Sequence, residues 1–157
     1  MRLDAIVEHL VERARRRSAN RVAFKALTEP TVVSGEPARI SRAIGNLLDN
    51  GAKWSPDGAT VEVRLASGEV AVRDHGPGFA AADLPHVFER FYRASNARGK
   101  PGSGLGLAIV RQAAEAHGGW VKAENAPDGG ALLTVSFGPA QRPTLDEQQA
   151  EPAPARA

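Results

Sequence analysis

Thr60-Val61-Glu62-Val63-Arg64-Leu65-Ala66-Ser67-Gly68-Glu69-Val70-Ala71-Val72-Arg73-Asp74 is the stretch on which the fold class of this chain turns. Val61, Val63 and Leu65 alternate with polar residues, Ser67-Gly68 turns the chain back, and Glu69–Asp74 alternates again. Two period-two runs across a two-residue turn predict an antiparallel hairpin. A second pair, Trp120–Glu124 and Ala131–Phe137, straddles Pro127-Asp128-Gly129-Gly130 and reads the same way. Strands that come in adjacent pairs, with helices between the pairs, depart from strict βαβ alternation and favour an α+β two-layer sandwich.

Upstream of the first hairpin, Leu3, Ile6, Val7, Leu10, Val11 and Ala14 fall at helical spacing within residues 1–18. Val22, Phe24 and Ala26 alternate as a short strand, and Thr31-Val32-Val33 reads as another. A helix follows from about Glu36 to Trp54, with Ser34 or Gly35 near its start. Downstream, His75 to Gly104 is rich in Gly, Pro, Arg and Ser, interrupted by a helical piece around Leu84–Tyr92. Another helix spans about Leu105–His117 and stops at Gly118-Gly119, with His117 as a helix-end cation. After Gly138 apolar periodicity vanishes and Pro, Ala, Gln and Glu dominate. The domain is therefore expected to be residues 1–138, with 139–157 a disordered tail.

Of the 157 residues, 42% are hydrophobic, enough for a real core and too many for wholesale disorder. No cysteine is present, which excludes a disulfide scaffold, thiol catalysis and a thiolate zinc site. Lys and Arg total 20 against 18 Asp and Glu, and a net charge of +2 does not point to nucleic acid. No apolar run approaches the ~20 residues of a membrane span, and no signal-peptide core opens the chain. It reads as soluble and intracellular in character.

Three features carry chemistry. On the 36–54 helix, Ile40, Ala43, Ile44, Leu47, Leu48 and Gly51 form one apolar stripe. Asn46, Asn50 and Lys53 group within roughly 60° beside it at ~100° per residue. Amide oxygens can ligate a hard cation and lysine can meet a phosphate, although a plain polar helix flank has the same composition. In Asp74-His75-Gly76-Pro77-Gly78, period two puts Asp74 on the apolar face of Val70 and Val72. A carboxylate there needs donors, and a purine amino group is one; an ordinary strand end before a Gly-Pro turn is the alternative. Gly76 and Gly78 would let the backbone pass close to a flat ligand. Gly102-Ser103-Gly104-Leu105-Gly106-Leu107 opens a helix without Walker or Rossmann spacing, and exposed N–H groups at a helix N-terminus bind phosphate. Between these lie Phe88, Phe91 and Tyr92, which could pin a turn to the core. Arg90, Arg93, Arg98 and Lys100 form a basic stretch suited to closing over phosphates.

Taken in order, NLLDNGAKWS (46–55), DHGPG (74–78), FERFYR (88–93) and GSGLGLAIV (102–110) resemble the motifs of one family. They are similar to those of the catalytic ATP-binding domain of sensor histidine kinases, in the superfamily that includes gyrase and heat-shock chaperone ATPases. Gly129-Gly130 with Phe137 echoes a weaker closing motif, and the resemblance covers about residues 1–138. It implies a Bergerat-type two-layer α/β sandwich, about three helices on one face of a mixed, mainly antiparallel sheet. ATP would lie between helices and lid.

By position, the resemblance gives Asp74 the adenine amino group, with Gly76 and Gly78 beside the base. Asn50 would hold Mg²⁺, the metal of the site, with Asn46 as a polar helper. Lys53, Arg90 or Arg93, and the N–H groups of Gly104 and Gly106 would engage phosphates. Tyr92, Gly102, Ser103 and Leu105 complete the implied cofactor-binding set, and Asn46, Asn50 and Lys53 form the implied catalytic one. Gly51 departs from the usual alanine and Trp54 from the common tyrosine.

No phosphoacceptor motif is present, since His9 is the one histidine of the first helix and no proline follows it. The implied acceptor is a histidine on a separate dimerisation domain of the parent kinase. A response regulator would follow downstream, and the parent would be a homodimer at the cell membrane. The domain alone is expected to be cytoplasmic and monomeric, without autokinase activity. Two rivals are an anti-sigma type serine kinase and a basic module built on Arg13, Arg15, Arg16 and Arg17.

Overall fold

A computed structural model describes residues 1–92 and 104–144. In chain order it contains α1 (Leu3–Arg17), β1 (Ala23–Thr28), β2 (Val32–Val33), α2 (Pro37–Trp54), β3 (Thr60–Ala66) and β4 (Glu69–Arg73). A 3₁₀ turn (Leu84–His86), α3 (Gly106–Ala116), β5 (Trp120–Asn125), β6 (Ala131–Ser136) and β7 (Ala140–Gln141) follow. The hairpin that decides the fold class is β3–β4, paired Val63 to Val72 and Leu65 to Val70. β5 and β6 form the second hairpin, and β6 lies beside β4.

The five-stranded sheet runs β1-β3-β4-β6-β5. All its pairings are antiparallel except β1 with β3, where Phe24 opposes Val61 in a parallel ladder. α1 packs on β1, α2 on β3 and β4, and α3 on β5 and β6. All three helices thus cover one face, giving the α+β sandwich with a mixed, mainly antiparallel sheet. Alternation explains the sidedness. Val61, Val63, Leu65, Val70, Val72, Leu133 and Val135 are buried under the helices, while Glu62, Arg64 and Lys122 face solvent.

The α2 stripe of Ile40, Ala43, Ile44, Leu47 and Leu48 is fully enclosed. Each of its isoleucine and leucine side chains stabilises the fold by about 1.5–3 kcal/mol relative to exposure. Gly51 continues that stripe at the sheet surface. A methyl there would sit 3.0 Å from Val61 Cγ1 and 3.3 Å from Val72 Cγ1, so the glycine lets α2 lie close on β3 and β4.

Two boundaries differ from the sequence reading. Ala140 and Gln141, expected in the tail, form β7 against Val33 and Val32 of β2. Two residues show no periodicity, and so short a ladder is held by backbone hydrogen bonds rather than by apolar side chains. The helical piece expected around Leu84–Tyr92 is a single 3₁₀ turn, Leu84–His86, followed by further turns. A helix through Phe91 is barred, since its φ of +62° is not that of a right-handed helix. Residues 145–157 of the expected tail lie outside the described residues.

α1 is tied to the β2 segment through Asp4, which is 7% exposed. Its Oδ1 accepts from the Thr31 N–H at 3.1 Å and from Arg2 Nε at 3.0 Å, and Oδ2 accepts from Arg2 Nη2 at 2.8 Å. Burial alone pushes the carboxyl up, but the Arg2 guanidinium and the Thr31 N–H outweigh it and hold the group below its ordinary value. A carboxyl lowered by folding contributes stability above its unfolded value of about 3.9, and that contribution is lost as pH falls through the folded value. Asp4→Ala is therefore expected to cost about 2 kcal/mol at pH 7 by urea denaturation. The gap from the unaltered protein should narrow as pH falls below about 4. A gap as large at pH 2 as at pH 7 would refute the charged pairing.

Candidate active site

The last turn of α2 is held by a residue that no sequence pattern marked. Arg21 donates from Nη1 to the Ser55 carbonyl at 2.9 Å and to Asp57 Oδ1 at 3.1 Å. Its Nη2 donates to the Ala52 carbonyl. A guanidinium thus meets carbonyls that a helix C-terminus leaves without partners. An arginine 31 residues upstream of Ala52 carries no local signal for that role. Ser55, buried at the end of the same turn, accepts the His75 N–H on its Oγ at 3.3 Å. The asparagine helix and the DHGPG loop therefore meet directly.

Asp74 is 3% exposed, on the apolar side where period two put it. Its Oδ1 accepts two backbone donors, the Gly76 N–H at 2.9 Å and the Ala131 N–H at 3.0 Å. Its own N–H donates to the Ala131 carbonyl at 3.0 Å. Both donors hold Oδ1, which orients the carboxylate. The turn that brings Ala131 here is pulled in by Arg73, whose Nη2 donates to Asp128 Oδ1 at 2.6 Å and to the Gly129 carbonyl at 3.2 Å. Gly130 crosses Asp74 at φ +83°, and a Cβ on it would lie 1.9 Å from the Asp74 carbonyl oxygen. No other residue type fits there, which is why Gly129-Gly130 closes the site.

On α2, Asn46 and Asn50 have different surroundings. Asn46 Nδ2 donates to the Gly106 carbonyl at 3.2 Å, bracing α2 against the first residue of α3. Asn50 Oδ1 is buried and accepts no hydrogen bond, one of three such atoms among the described residues, with His9 Nε2 and Arg73 Nε. A buried carbonyl oxygen without a donor is costly to folding, and a hard cation is the partner an amide oxygen can take without a proton. The residue therefore fits a bound Mg²⁺. Lys53, one turn on, holds its Nζ 5.5 Å from the ring centre of Trp54.

The aromatic segment divides three ways. Phe88 enters the core at 9% exposure, Phe91 is 65% exposed, and Tyr92 is half-buried. The Tyr92 hydroxyl donates to the buried Asp83, which holds the phenol above its ordinary value. Its ring lies 5.3 Å from that of His86. Arg90 is exposed and stacks over Phe91 at 5.4 Å. The Phe91 N–H donates to the Gly104 carbonyl at 2.9 Å, joining the FERFYR segment to the glycine-rich one. Leu105 is the N-cap residue of α3 and no side-chain cap bonds its first turn, so N–H groups there, from Gly106 onward, can serve a ligand.

His117 is not the helix-end cation expected. Its Nδ1 lies 2.7 Å from the Ala113 carbonyl and its Nε2 accepts the Glu36 N–H at 3.0 Å. That pair of bonds requires the neutral ring protonated on Nδ1. The residue links the end of α3 to the start of α2.

Pairwise contacts thus join the motifs: α2 to DHGPG through Ser55, α2 to α3 through Asn46, FERFYR to Gly104, and DHGPG to the closing turn through Asp74. Arg93, Gly102 and Ser103 of the expected site, with Arg98 and Lys100, lie outside the described residues. Among the described residues no helix is long and apolar enough to cross a membrane, and no cluster of three or more His, Asp or Glu could hold a metal.

Residues 35–141 match the family described as histidine kinase-, DNA gyrase B- and HSP90-like ATPase. The chain is 44% identical over 140 residues to a signal transduction histidine-protein kinase/phosphatase MprB of Mycobacterium avium (strain 104), covering 86% of this chain and 27% of that protein. A Mycobacterium tuberculosis (strain ATCC 25177 / H37Ra) protein of the same name is 45% identical over 130 residues, covering 80% of this chain and 26% of its own length. The chain therefore spans about a quarter of the curated relatives it matches. Among solved structures, a mycobacterial sensor histidine kinase MprB superposes with a TM-score of 0.80 at 36% identity, over 92% of this chain and 99% of that one. The ATP binding domain of PrrB from Mycobacterium tuberculosis superposes at 0.66 and 26% identity, over 85% and 91%. With its α+β sandwich and four motifs in order, the chain belongs to the histidine kinase-, DNA gyrase B- and HSP90-like ATPase family, and within it to the ATPase domains of sensor histidine kinases.

Proposed function

We propose that this domain binds ATP with Mg²⁺ and donates the γ-phosphoryl group to a histidine on a separate dimerisation domain of its parent sensor kinase. The observation that carries this reading is Asn50 Oδ1, a buried oxygen without a donor on the helix that meets the Asp74 loop. Asp74 accepts the adenine amino group on Oδ2 while Gly76 and Ala131 hold Oδ1. Gly76 and Gly78 give the base room. Lys53, Arg90 and the N–H groups of Gly104, Leu105 and Gly106 engage the phosphates, with Tyr92 fixing the start of the lid through Asp83. Arg93, Gly102 and Ser103 complete that phosphate-binding set. Bound to Asn50, Mg²⁺ supplies neutralisation of phosphate charge. Asn46 acts through α3, holding its first residue where N–H groups and phosphates meet.

Transfer of this kind rests on positioning and charge neutralisation, so no nucleophile–base pair is needed on this chain. The nitrogen nucleophile comes from the acceptor domain, and the phosphoryl group then passes to a response regulator in two-component signalling. The parent acts as a homodimer in the cell membrane with this domain on the cytoplasmic side, monomeric when separate. Incubation with labelled ATP and a dimerisation domain should place acid-labile, base-stable phosphate on that partner, and none on this chain alone. Acid-stable phosphate on a serine-containing partner instead would assign the chain to serine kinases.

A further inference from the structure

β5 ends at Asn125, an exposed residue that belongs to none of the motifs of the resemblance. Its side chain nevertheless makes two bonds to one residue of the DHGPG segment's exit. The Phe79 N–H donates to Asn125 Oδ1 at 2.8 Å, and Asn125 Nδ2 donates to the Phe79 carbonyl at 2.7 Å. A carboxamide carries one donor face and one acceptor face in a plane, so it pairs with a backbone N–H and C=O as a neighbouring strand would. Phe79 is thereby fixed to the sheet edge, and its half-buried ring packs against the core.

Gly78 is shaped by the same clamp. It sits at φ +73°, and a Cβ there would lie 2.7 Å from Asn125 Oδ1. The open space a glycine leaves at this position is therefore filled by the asparagine amide, not held for the ligand alone. Upstream, the loop is pinned by the His75 N–H on Ser55 and the Gly76 N–H on Asp74. Only Pro77 and Gly78 lie between the two anchors, so the path of the backbone beside Asp74 is set from both ends.

We propose that Asn125 is a positioning residue of the nucleotide site, holding the Gly76–Phe79 backbone in the curve that borders the base. This rests on the reading of Asp74 and Gly78 as the adenine side of an ATP site. The residue acts through Phe79 and touches no substrate. Only a carboxamide satisfies both bonds. Aspartate keeps the acceptor for the Phe79 N–H but sets a carboxylate against the Phe79 carbonyl, and alanine loses both bonds.

The test is ADP affinity by titration calorimetry on the full 157-residue chain, with Phe79 amide exchange by NMR and melting temperature measured alongside. Asn125→Ala and Asn125→Asp are both expected to bind ADP about tenfold more weakly. Their Phe79 amide should exchange faster. Val33→Ala, a core change in β2 with an equal or larger loss of melting temperature, is expected to keep its ADP affinity within about twofold. Affinities of the Asn125 variants within about twofold of the unaltered chain would overturn the proposal. So would a loss in Val33→Ala that tracks its stability. If Asn125→Ala does not fold, the near-isosteric Asn125→Asp carries the same comparison. Failure of the unaltered chain to bind ADP would instead overturn the nucleotide reading, whatever the exchange of Phe79 shows.

Discussion

Replacing Asn50 by alanine is expected to weaken Mg²⁺-dependent ATP binding strongly while leaving the fold as stable as before, or slightly more so. The two halves of that outcome have one cause. Asn50 Oδ1 is buried and unpartnered, so its removal deletes an oxygen that folding keeps from water without compensation. Most buried polar side chains lose about 1–3 kcal/mol of stability when a partner is cut away; here no partner exists to lose. The binding side is the opposite. An oxygen ligand to a divalent cation is a charge-assisted contact, and its loss at about 1.5–3 kcal/mol lowers affinity about 10- to 150-fold. Calorimetry in Mg²⁺ against EDTA reads the effect directly. Unchanged affinity, or a melting temperature that falls along with binding, would remove Asn50 from the metal's ligands.

Gly130→Ala should be the most destructive single-methyl change near the site. The added Cβ would lie 1.9 Å from the Asp74 carbonyl oxygen and 2.8 Å from its carbonyl carbon, against backbone that no rotamer change can move. The residue would also carry φ +83°, which costs an L-residue about 1–2 kcal/mol. Adding about 1–3 kcal/mol for overpacking gives about 2–5 kcal/mol of lost stability. Relief can come only by lifting the 126–130 turn from β4, which withdraws the Ala131 N–H from Asp74 Oδ1. Adenine-nucleotide binding should therefore fail even at temperatures where the variant remains folded. Gly129→Ala is the internal contrast, because a Cβ there meets nothing within 4 Å. Equal losses for both would show that turn conformation, and not the crossing at Asp74, sets the cost.

The hairpins, the α2 stripe and the inward face of Asp74 were legible in the sequence because each is a periodic signal from one segment. The donors of Asp74 were not, because Ala131 lies 57 residues away and reaches the carboxylate only through sheet pairing. Parallel pairing of β1 with β3 was equally hidden, since alternation reports which side of a strand is buried and not which strand lies beside it. FERFYR misled in a different way. Phe88, Phe91 and Tyr92 stand at helical spacing, yet Phe91 turns out of the helix and gives its N–H to Gly104. His117 read as a charge because it ends a helix, whereas its ring bonds the Ala113 carbonyl one turn back and the Glu36 N–H across the fold. Motif identity survived all of this because the motifs meet pairwise in space. Arg21 and Asn125, which hold the end of α2 and the exit of the DHGPG loop, belong to none of them.

The bond from the Phe91 N–H to the Gly104 carbonyl has a polymer consequence. It brings Phe91 and Gly104 together at hydrogen-bond distance, so the chain leaves and returns at one place, a ring in the polymer sense. The entropy of closing such a ring grows only with the logarithm of its length, about 0.6 kcal/mol for each doubling. Length and composition between the tie points are then nearly free variables for selection, while the tie itself is not. A chain with this staple can vary in length and composition between Phe91 and Gly104 and leave the thermodynamics of the sandwich beneath almost untouched.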